Sequence, residues 1–437
     1  MERDMKILMV SAAILPFWKC GVATVVDDLR TVLERQGHEV ELFALDLKGG
    51  NDQECMENET KCYLTAMQSM TQCAIVSDTQ PGVDHVNARF RECLQSFVPD
   101  IVHFHTPQYF SLSLFRIAKE AGAQTVVTLH DWWWICPAQF FSPEPGCKCT
   151  NIDKTACLRC MRKNGEDDAR YEERMCALQD AEAHVDRFIC VSSILGRDII
   201  RYKPHLADRI AIIPNAVVSR CDTIQKTEEP IRFVFAGGQF DLKGYSQIMK
   251  AFFSLSELRN WELDIYGCTI QSLSASGMKA KIRKYISHPI QMARKIKVLI
   301  LQCFAKKNPR LPIRYHPVLS RAEIMDAFQK SHVALVCTQV QESFSLVTYE
   351  AMANGCCVIA NPCGGPQEIV RDHENGLVLE DCSGETLEQA IREMLNHPKM
   401  VERLRKRAYE DAEGFLHQQD VGERYAQVYR ALLEKQA

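Results

Sequence analysis

The sequence predicts an α/β protein with two doubly wound, Rossmann-like domains. Apolar runs of strand length alternate with segments of helical character along most of the chain, and a polar segment at 219–230 divides this alternation into two series. The 437 residues suffice for two domains, because one domain takes roughly 100 to 200 residues. We place the domains at 1–218 and 231–414, with a terminal helical segment at 415–437.

The first series predicts a parallel sheet of six strands. The first strand leads into a helix at 21–36, and a looser polar region extends from the second strand to about residue 81. Two of the later strands each end in a histidine. The predicted strands are 6–13, 38–45, 101–105, 124–130, 187–191 and 210–213. Such alternation implies strand–helix–strand units with helices on both faces of the sheet.

The second series predicts another sheet of the same kind. Its first strand begins at Ile231 and is followed by a glycine pair. The remaining strands lie at or near 262–266, 313–315, 332–337, 356–360 and 377–379. Towards the end of the chain, Tyr425, Val428 and Leu432 recur at helical spacing, which predicts a packed terminal helix.

The composition excludes several classes of protein. The chain is 46% hydrophobic and 25% charged, and its net charge of −4 gives no overall attraction to nucleic acid. No run reaches the roughly 18 apolar residues of a membrane helix. The apolar run 7–17 follows Glu2 and Asp4, which favours a buried strand over an export signal. Twenty cysteines without such a signal predict reduced thiols and a cytoplasmic location. A basic stretch described below adds the inner face of the membrane to this prediction.

Two acidic residues distinguish the second series. Glu342 follows the apolar run 332–337 and lies in a loop, whereas Glu350 lies in the first turns of a helical segment. Ligands of open α/β sheets bind beyond the carboxyl ends of the strands, so both acids are expected near a ligand. The start of the helix offers unpaired N–H groups that suit a phosphate. A solvated helix face is the alternative explanation of the two acids.

A second glycine pair follows the predicted strand 356–360. Gly364 and Gly365 permit close approach of the backbone to a ligand. The whole stretch from Glu342 to Gly376 resembles the donor-binding half of retaining nucleotide-sugar glycosyltransferases of the GT-B fold, family 4. This resemblance implies two Rossmann-like domains that face a cleft, with the terminal helix crossing back to pack on the first domain.

The resemblance also implies an activity. A sugar would be moved from a nucleoside diphosphate sugar to a glycan or lipid-linked acceptor, in the synthesis of cell-surface polysaccharide or glycolipid. Family 4 enzymes retain the anomeric configuration, and a front-face mechanism needs neither a protein nucleophile nor a catalytic metal or other cofactor. A nucleotide-sugar epimerase of GT-B shape and a catalytically degenerate binding subunit are the alternatives.

Donor-binding roles carry over to matching positions. Glu350 would accept hydrogen bonds from the ribose hydroxyls, Glu342 would address the sugar hydroxyls near the reacting carbon, and Lys243 would bind the diphosphate. The predicted donor site is completed by Phe344, Ser345, Leu346, Gly364 and Gly365. Relatives have an arginine five residues before the lysine, where this chain has Gly238. That departure motivates the alternative of a binding subunit, and an exposed surface lysine is the alternative for Lys243 itself.

The first domain contributes His130. It ends a predicted strand within a Thr-x-His-Asp sequence that matches the family position touching the donor sugar near the new bond. We therefore predict His130 and Glu342 as the catalytic residues, with a histidine buried by aromatic neighbours as the alternative. Gly21 opens the first helix, where the family places a glycine-rich loop against phosphates and acceptor. Here Gly21 follows Cys20 as a single glycine rather than a pair.

Five cysteines lie within the segment 136–163, which we interpret as an insert in the first domain. Their Cys-x-Cys and Cys-x2-Cys spacings suit a structural zinc site. An iron–sulfur cluster and unligated buried thiols are the alternatives. The residues are Cys136, Cys147, Cys149, Cys157 and Cys160. The polar, turn-rich composition of this segment predicts a loop, and the metal would hold this loop over the acceptor side.

A basic stretch interrupts the second series. No acidic residue occurs between residues 265 and 321, while eleven lysines and arginines accumulate over 279–314, interleaved with apolar residues. A basic amphipathic segment can lie on anionic lipid. We therefore predict peripheral membrane contact through 279–314, which would suit a lipid-linked acceptor. A pair of charged surface helices is the alternative.

Overall fold

The structure is a computed structural model that forms two compact units. Met1–Pro143, Cys149–Ala216 and Leu416–Ala437 make up the first unit, and Glu144–Lys148 and Val217–Phe415 the second. The residues described are 4–15, 17, 20–46, 52–57, 60–66, 82–143, 146–163, 168–216, 220–224, 229–237, 242–267, 311–415 and 417–435. Within these ranges, no helix has both the length and the apolar character needed to cross a membrane.

Among the described residues, the first unit contains a sheet of eight strands. The strands are β1 Lys6–Val10, β2 Glu39–Asp46, β3 Gln53–Glu57, β4 Thr60–Ala66, β5 Ile101–Phe104, β6 Gln124–Leu129, β7 Arg187–Cys190 and β8 Ile210–Ile212. Their order is β3-β4-β2-β1-β5-β6-β7-β8, and all neighbours are parallel except β3 and β4. Strands β5 and β6 are buried along their whole length, as expected of central strands covered on both faces.

The second unit contains a six-stranded parallel sheet in its described part. The strands are β9 Ile231–Ala236, β10 Trp261–Tyr266, β11 Ile313–Tyr315, β12 Val333–Val336, β13 Cys357–Ala360 and β14 Gly376–Val378. Their order is β11-β10-β9-β12-β13-β14. Phe233 and Phe235 belong to one apolar core, and the intervening Val234 belongs to another. Both faces of the sheet are therefore covered, which confirms the predicted doubly wound class.

Helices connect the strands of both units. Numbered along the chain, they are α1 Gly21–Arg35, α2 Val83–Phe97, α3 Ser113–Glu120, α4 Lys154–Lys163, α5 Asp168–Ala183, α6 Ser193–Tyr202, α7 Tyr245–Ser254, α8 Arg321–Gln329, α9 Leu346–Ala353, α10 Gly384–Asn396, α11 Pro398–Asp411 and α12 Gln418–Glu434. The terminal helix α12 packs on α1 in the first unit. A Cβ added to Gly422 of α12 would lie 2.2 Å from Cγ1 of Val32 in α1, so a glycine permits this close crossing.

Two elements differ from the sequence predictions. Strands β3 and β4 form an antiparallel hairpin at the edge of the first sheet, within the region predicted only as polar. Strand β3 is the edge strand and has no buried residue at 53–56, and the buried apolar run of β4 is only three residues long, at 62–64. The predicted loop at 136–163 also contains the helix α4. The Asp153 carboxylate caps it by accepting a hydrogen bond from the Ala156 N–H at 2.7 Å, and Leu158 and Met161 bury one face.

Candidate functional site

The loop that follows β13 packs directly against the loop that carries Glu342. The Glu342 N–H donates to the Cys363 carbonyl at 3.3 Å, and the Gly365 N–H donates to the Glu342 carbonyl at 2.6 Å. Gly364 has a φ of +80°, and a Cβ there would lie 2.2 Å from the Glu342 carbonyl oxygen. A Cβ on Gly365 would lie 2.5 Å from the Phe344 carbonyl oxygen. The close approach that these glycines permit is thus made by the protein's own backbone at residues 342–344.

Lys243 and Glu342 form an ion pair at the carboxyl ends of β9 and β12. The Lys243 Nζ donates to Glu342 Oε1, although the two residues are 99 positions apart in the sequence. The lysine side chain is 39% exposed and the glutamate side chain 14% exposed. Gly244 fixes the turn beside the lysine, because a Cβ there would lie 1.9 Å from the Cys337 carbonyl oxygen. The structure thus brings together the two predicted residues that would meet a diphosphate and a sugar.

Helix α9 begins beside this pair. Ser345 is its N-cap residue and has a φ of +69°, and its hydroxyl lies 2.9 Å from that of Thr348 rather than capping the helix backbone. The N–H groups in the first turn of a helix have no intrahelical acceptor, and they can therefore face an anion. The Phe344 ring is buried and stacks on Tyr349 at 4.2 Å, so only the backbone of Phe344 is suited to contact a ligand.

Glu350 lies on α9, and an arginine that sequence analysis missed contacts it. Arg321, the first residue of α8, donates to Glu350 Oε1 from Nε at 3.0 Å, and its Nη2 lies 2.9 Å from the same oxygen. The Glu350 side chain is only 10% exposed. An arginine 29 residues away carries no local sequence signal of this pairing. The guanidinium fixes the orientation of the carboxylate, which can then accept hydrogen bonds from hydroxyl groups.

Another cluster that the sequence did not predict lies at the carboxyl ends of β10 and β11. Arg314 donates two hydrogen bonds of 2.8 Å to Asp264, and His316 Nε2 lies 2.6 Å from the same carboxylate. Burial alone would raise the pKa of Asp264, but the hydrogen bonds from Arg314 and His316 outweigh it and lower that pKa. The His316 ring stacks on Tyr266 with centroids 4.3 Å apart, which presents a flat aromatic surface at this edge of the sheet.

In the first unit, His130 follows β6 and belongs to a cluster of three histidines, with His103 and His105. Its Nε2 lies 3.2 Å from Nδ1 of His105, and the two rings stack at 5.5 Å. Next to them, His103 Nε2 lies 2.8 Å from the Thr128 hydroxyl, and His103 Nδ1 lies 2.7 Å from the hydroxyl of Tyr429 on α12. The terminal helix therefore takes part in fixing the histidines of the candidate site.

Burial determines the protonation state of these histidines. Burial lowers the pKa of His130 to about 4. Burial, reinforced by the neighbouring imidazoles, places the pKa of His103 and of His105 well below the ordinary value. All three rings are therefore neutral at neutral pH. His130 can exchange hydrogen bonds with a ligand, but it brings no positive charge to it.

A pocket lined by polar and aromatic side chains surrounds His130. Besides His130 and His105, Asp131 and Trp133 contribute to its walls. Asp131 is held by the Trp133 N–H at 2.7 Å and by the Gln139 amide at 2.6 Å. In the described part of the chain, His105 Nε2 and Trp133 Nε1 have no hydrogen-bond partner, although these residues are only 1% and 2% exposed. Buried polar atoms without a partner are costly. The pocket has room for a water-sized group, so both atoms are suited to bind a water or a single hydroxyl.

The remaining predicted donor residues are only partly described. Gly21 begins α1 just after β1, and the carboxyl ends of β1, β5 and β6 share one edge of the sheet. Gly238, the position of the missing arginine, lies outside the described residues, as do residues 279–310 of the basic stretch. Arg314, at the end of that stretch, is ion-paired with Glu262 and Asp264, so it is engaged within the protein.

The five cysteines of the predicted metal site do not form a ready-made cluster. Across the described residues, no group of three or more His, Cys, Asp or Glu is arranged to hold a metal ion. Cys147 belongs to the second unit, and the other four belong to the first. These four are Cys136, Cys149, Cys157 and Cys160. A structural metal remains a hypothesis that metal analysis of the protein can test.

Two protein families together match nearly the whole chain. The family described as "Glycosyltransferase Family 4" matches residues 20–219, and the family described as "Glycosyl transferases group 1" matches residues 222–411. The chain belongs to the group 1 glycosyltransferases. This confirms the resemblance stated from residues 342–376, and it extends the family assignment to both units of the glycosyltransferase.

Relatives with assigned names match a limited part of this glycosyltransferase. A D-inositol 3-phosphate glycosyltransferase of Streptomyces griseus subsp. griseus is 33% identical over 103 residues, which is 24% of this chain and 22% of the relative. Spore coat protein SA of Bacillus subtilis is 31% identical over 108 residues, 24% of this chain and 29% of that protein. The match thus spans less than a third of each relative's length.

Solved structures match over nearly the full length. Sucrose-phosphate synthase from Thermosynechococcus elongatus has a TM-score of 0.65 at 16% identity, covering 99% of this chain and 100% of its own. HepE from Anabaena, in complex with UDP and glucose, has a TM-score of 0.63 at 13% identity, covering 98% and 100%. At such identities the likeness establishes the fold, which is the GT-B arrangement of two Rossmann-like domains.

Proposed function

We propose that this glycosyltransferase moves a sugar from a nucleoside diphosphate sugar to a hydroxyl of a glycan or lipid-linked acceptor, with retention of anomeric configuration. The observation that carries the proposal is the Lys243–Glu342 pair beside the start of α9, at the carboxyl ends of β9 and β12. Cationic and hydroxyl-binding groups meet there, as a nucleotide sugar requires. Two proteins of similar fold bind UDP with glucose and UDP-2-fluoro glucose, respectively, which supports the donor class.

Lys243 and α9 have complementary roles in this proposal. When the bond between the sugar and the diphosphate breaks, negative charge builds up on the leaving phosphate oxygens. The Lys243 ammonium and the first-turn N–H groups of α9 stabilise that charge. A bound metal ion has the same effect in other transferases. Binding of the diphosphate draws Lys243 away from Glu342, whose carboxylate then accepts hydrogen bonds from the sugar hydroxyls.

The bond changes need no protein nucleophile. The acceptor oxygen attacks the anomeric carbon on the face from which the diphosphate departs, so the carbon–oxygen bond to phosphate breaks as the new glycosidic bond forms. The departing phosphate oxygen takes the acceptor's proton. Retention follows, because attack and departure occur on the same face. Glu350, oriented by Arg321, holds the ribose of the nucleotide through its hydroxyls.

The acceptor class is inferred from the pocket around His130. Its unpaired His105 Nε2 and Trp133 Nε1 suit the hydroxyl groups of a sugar, and Trp133 contributes an aromatic side chain to the pocket. A neutral His130 can orient a hydroxyl without binding the anionic diphosphate in its place. We place the reaction in the synthesis of cell-surface polysaccharide or glycolipid, where acceptors are glycans or lipid-linked sugars.

A direct test incubates the pure protein with a panel of nucleotide sugars and hydroxyl acceptors. The nucleoside diphosphate and the glycosylated product are measured together, and NMR reports the anomeric configuration. We expect equal amounts of both products, retained configuration, and loss of both in Glu342→Ala. Glu380→Ala, which removes an exposed carboxylate, is the matched control. Full activity in Glu342→Ala would refute the site, and nucleotide release without acceptor consumption would indicate an epimerase.

A further inference from the structure

Two thiols that the proposed reaction does not use lie in contact beside the candidate donor site. The Sγ atoms of Cys363 and Cys382 are 3.5 Å apart, although the residues are 19 positions apart in the sequence. Cys363 is fully buried in the loop after β13, whereas Cys382 is partly exposed, just before α10. Both belong to the second unit. Two sulfur atoms at van der Waals distance need only a small movement to form a bond.

The two sulfurs differ in reactivity. The two thiols share a hydrogen bond in which either sulfur can be the donor. This contact is the main reason why the pKa of Cys382 lies below its ordinary value. Burial and the charge of Asp381 oppose the effect. Cys382 also lies at the amino end of α10, where the helix favours a negative charge. Cys382 is therefore the thiol that an oxidant can reach and that is more readily deprotonated.

The pair is coupled to Glu342 through backbone contacts. The Cys363 carbonyl accepts the Glu342 N–H, and the next residue, Gly364, forms an isolated β-bridge with Glu342. On the other side, the Gln339 amide donates to the Cys382 carbonyl at 3.3 Å. A disulfide brings its sulfurs to about 2.05 Å, so they would have to approach each other by about 1.5 Å. That movement acts on the segment 339–342 from both sides.

We propose that Cys363 and Cys382 form an oxidation site, at which a peroxide converts the two thiols to an intramolecular disulfide that displaces Glu342 and slows sugar transfer. Dithiol reductants reverse the change. The existence of the disulfide is independent of the proposed function. Its effect on sugar transfer rests on that function.

The chemistry balances with hydrogen peroxide as the oxidant. The Cys382 thiolate attacks one peroxide oxygen and breaks the O–O bond, which gives a sulfenic acid and hydroxide; the hydroxide takes up a proton to form water. The Cys363 sulfur then attacks the sulfur of the sulfenic acid. The S–S bond forms, and the hydroxyl group leaves as a second water with the Cys363 proton. Two thiols are oxidised, and one peroxide is reduced to two waters.

Cys147 is a competing partner that the experiment must separate. The adjacent Gly146 lies against Cys382, since a Cβ there would be 3.2 Å from the Cys382 sulfur. Cys147 is exposed and belongs to the same unit. A bond between Cys147 and Cys382 would leave the Cys363 loop untouched, so peptide mapping has to establish which cysteines are joined.

The test treats the reduced full-length protein with graded hydrogen peroxide, blocks the remaining thiols and maps the unreduced peptides by mass spectrometry. We expect a linked peptide containing Cys363 and Cys382 in the wild type and in the control Cys176→Ser, which removes an exposed cysteine of the first unit. The link is expected to be absent from Cys382→Ser. Thermal unfolding of each variant shows that it is folded. A link to Cys147, or no link at peroxide levels that oxidise Cys176, would overturn the proposal.

Activity is the second readout. Oxidation is expected to lower sugar transfer roughly tenfold to a hundredfold, as expected when a reacting group is misplaced by about 1 Å. Dithiothreitol should restore it, and Cys382→Ser should be unaffected. If the peptides are linked but the rate of sugar transfer is unchanged, the proposal that the disulfide slows transfer is overturned. If the reduced protein transfers no sugar, the proposed function fails, while the peptide map still decides the oxidation site.

Discussion

At the scale of single residues, Lys243 illustrates how one cation can serve two partners. Its ammonium pairs with Glu342, and a diphosphate would compete for the same charge. The resemblance to family 4 implies an arginine five residues earlier, where this chain has Gly238. In the proposed donor site, phosphate binding would therefore depend on Lys243 and on the N–H groups of α9. A partly exposed ion pair adds little to stability, so its removal should affect catalysis far more than folding.

We expect Lys243→Met to lower kcat/KM for the nucleotide sugar by about 10² to 10³, the range observed when one stabilising donor is removed from a transition state. Lys243→Arg should recover part of this loss, because it restores the charge. The midpoint of thermal unfolding should change little. The matched control is Lys406→Met, whose side chain is 73% exposed. Equal kinetics for Lys243→Met and this control would contradict the diphosphate role.

His130 gives a prediction about pH. Its pKa of about 4 in the folded protein lies below the value of about 6.5 expected in the unfolded chain, so the unfolded state takes up the proton first. The free energy of unfolding should therefore fall as the pH drops from about 6.5 to about 4, with a contribution from His130 of up to about 3 kcal/mol. Denaturant titrations of the wild type and His130→Gln measure this.

The variant His130→Gln should lose less stability over that pH range than the wild type. Above that pH range, the His130 ring is neutral in both the folded and the unfolded state. The free energy of unfolding should then have the same pH dependence in the two proteins. A steeper acid loss in His130→Gln than in the wild type would show that the histidine is not held neutral in the folded state.

At the scale of elements, the important feature is the contact between the Glu342 loop and the loop after β13. Neither loop is defined by its own sequence pattern. They are fixed by two backbone hydrogen bonds and by Gly364 and Gly365, whose missing side chains leave room for residues 342–344. Helix α12 has a similar role in the first unit. The hydroxyl of its Tyr429 contacts His103, the His103 ring packs against His105, and His105 contacts His130.

Gly364→Ala tests the loop contact. The new Cβ would overlap the Glu342 carbonyl at 2.2 Å in addition to the strain of a φ of +80°. We expect about 2 kcal/mol or more of lost stability, with a large loss of sugar transfer. Gly122→Ala is the matched control, because Gly122 has a φ of +88° but open space around it. Equal effects of the two substitutions on stability and activity would show that the overlap with Glu342 is unimportant.

At the scale of the whole molecule, charge is unevenly distributed along the chain. The net charge is −4, yet residues 279–314 hold eleven basic residues and no acid. This concentration favours contact with anionic lipid, where each basic residue near the surface contributes about 1 kcal/mol. Arg314 is engaged by Glu262 and Asp264, so the predicted lipid contact would depend on the basic residues before it.

We expect the full-length protein to sediment with vesicles containing anionic phospholipid and to be released by high salt, because surface charges are screened. Vesicles of neutral phospholipid should not retain it. Replacing Lys279, Lys281, Arg283 and Lys284 with glutamate should abolish retention. The control reverses the charge of four exposed basic residues elsewhere: Lys330, Lys406, Arg407 and Arg159. Equal retention of both variants would argue against a lipid-binding role for this stretch.

Much of the fold could be predicted because buried parallel strands are continuous apolar runs. All six strands predicted in the first series are present, and so are those of the second. The hairpin β3–β4 was missed because β3 has no buried residue at 53–56 and the apolar run of β4, 62–64, is short. Helix α4 was missed because its buried face consists of Cys157, Leu158 and Met161. The predicted site residues lie at the expected strand ends, but their roles stay predictions until they are tested.

The sequence alone determined the class of fold, the family and the positions of Glu342, Glu350, Lys243 and His130, because each depends on local pattern or on a motif of fixed spacing. Tertiary structure decided which groups meet. Arg321 contacts Glu350, Cys363 contacts Cys382, and His105 contacts His130. These pairs join side chains from different strand ends and loops. No periodicity in the chain encodes them, because packing of the sheets determines which ends become neighbours.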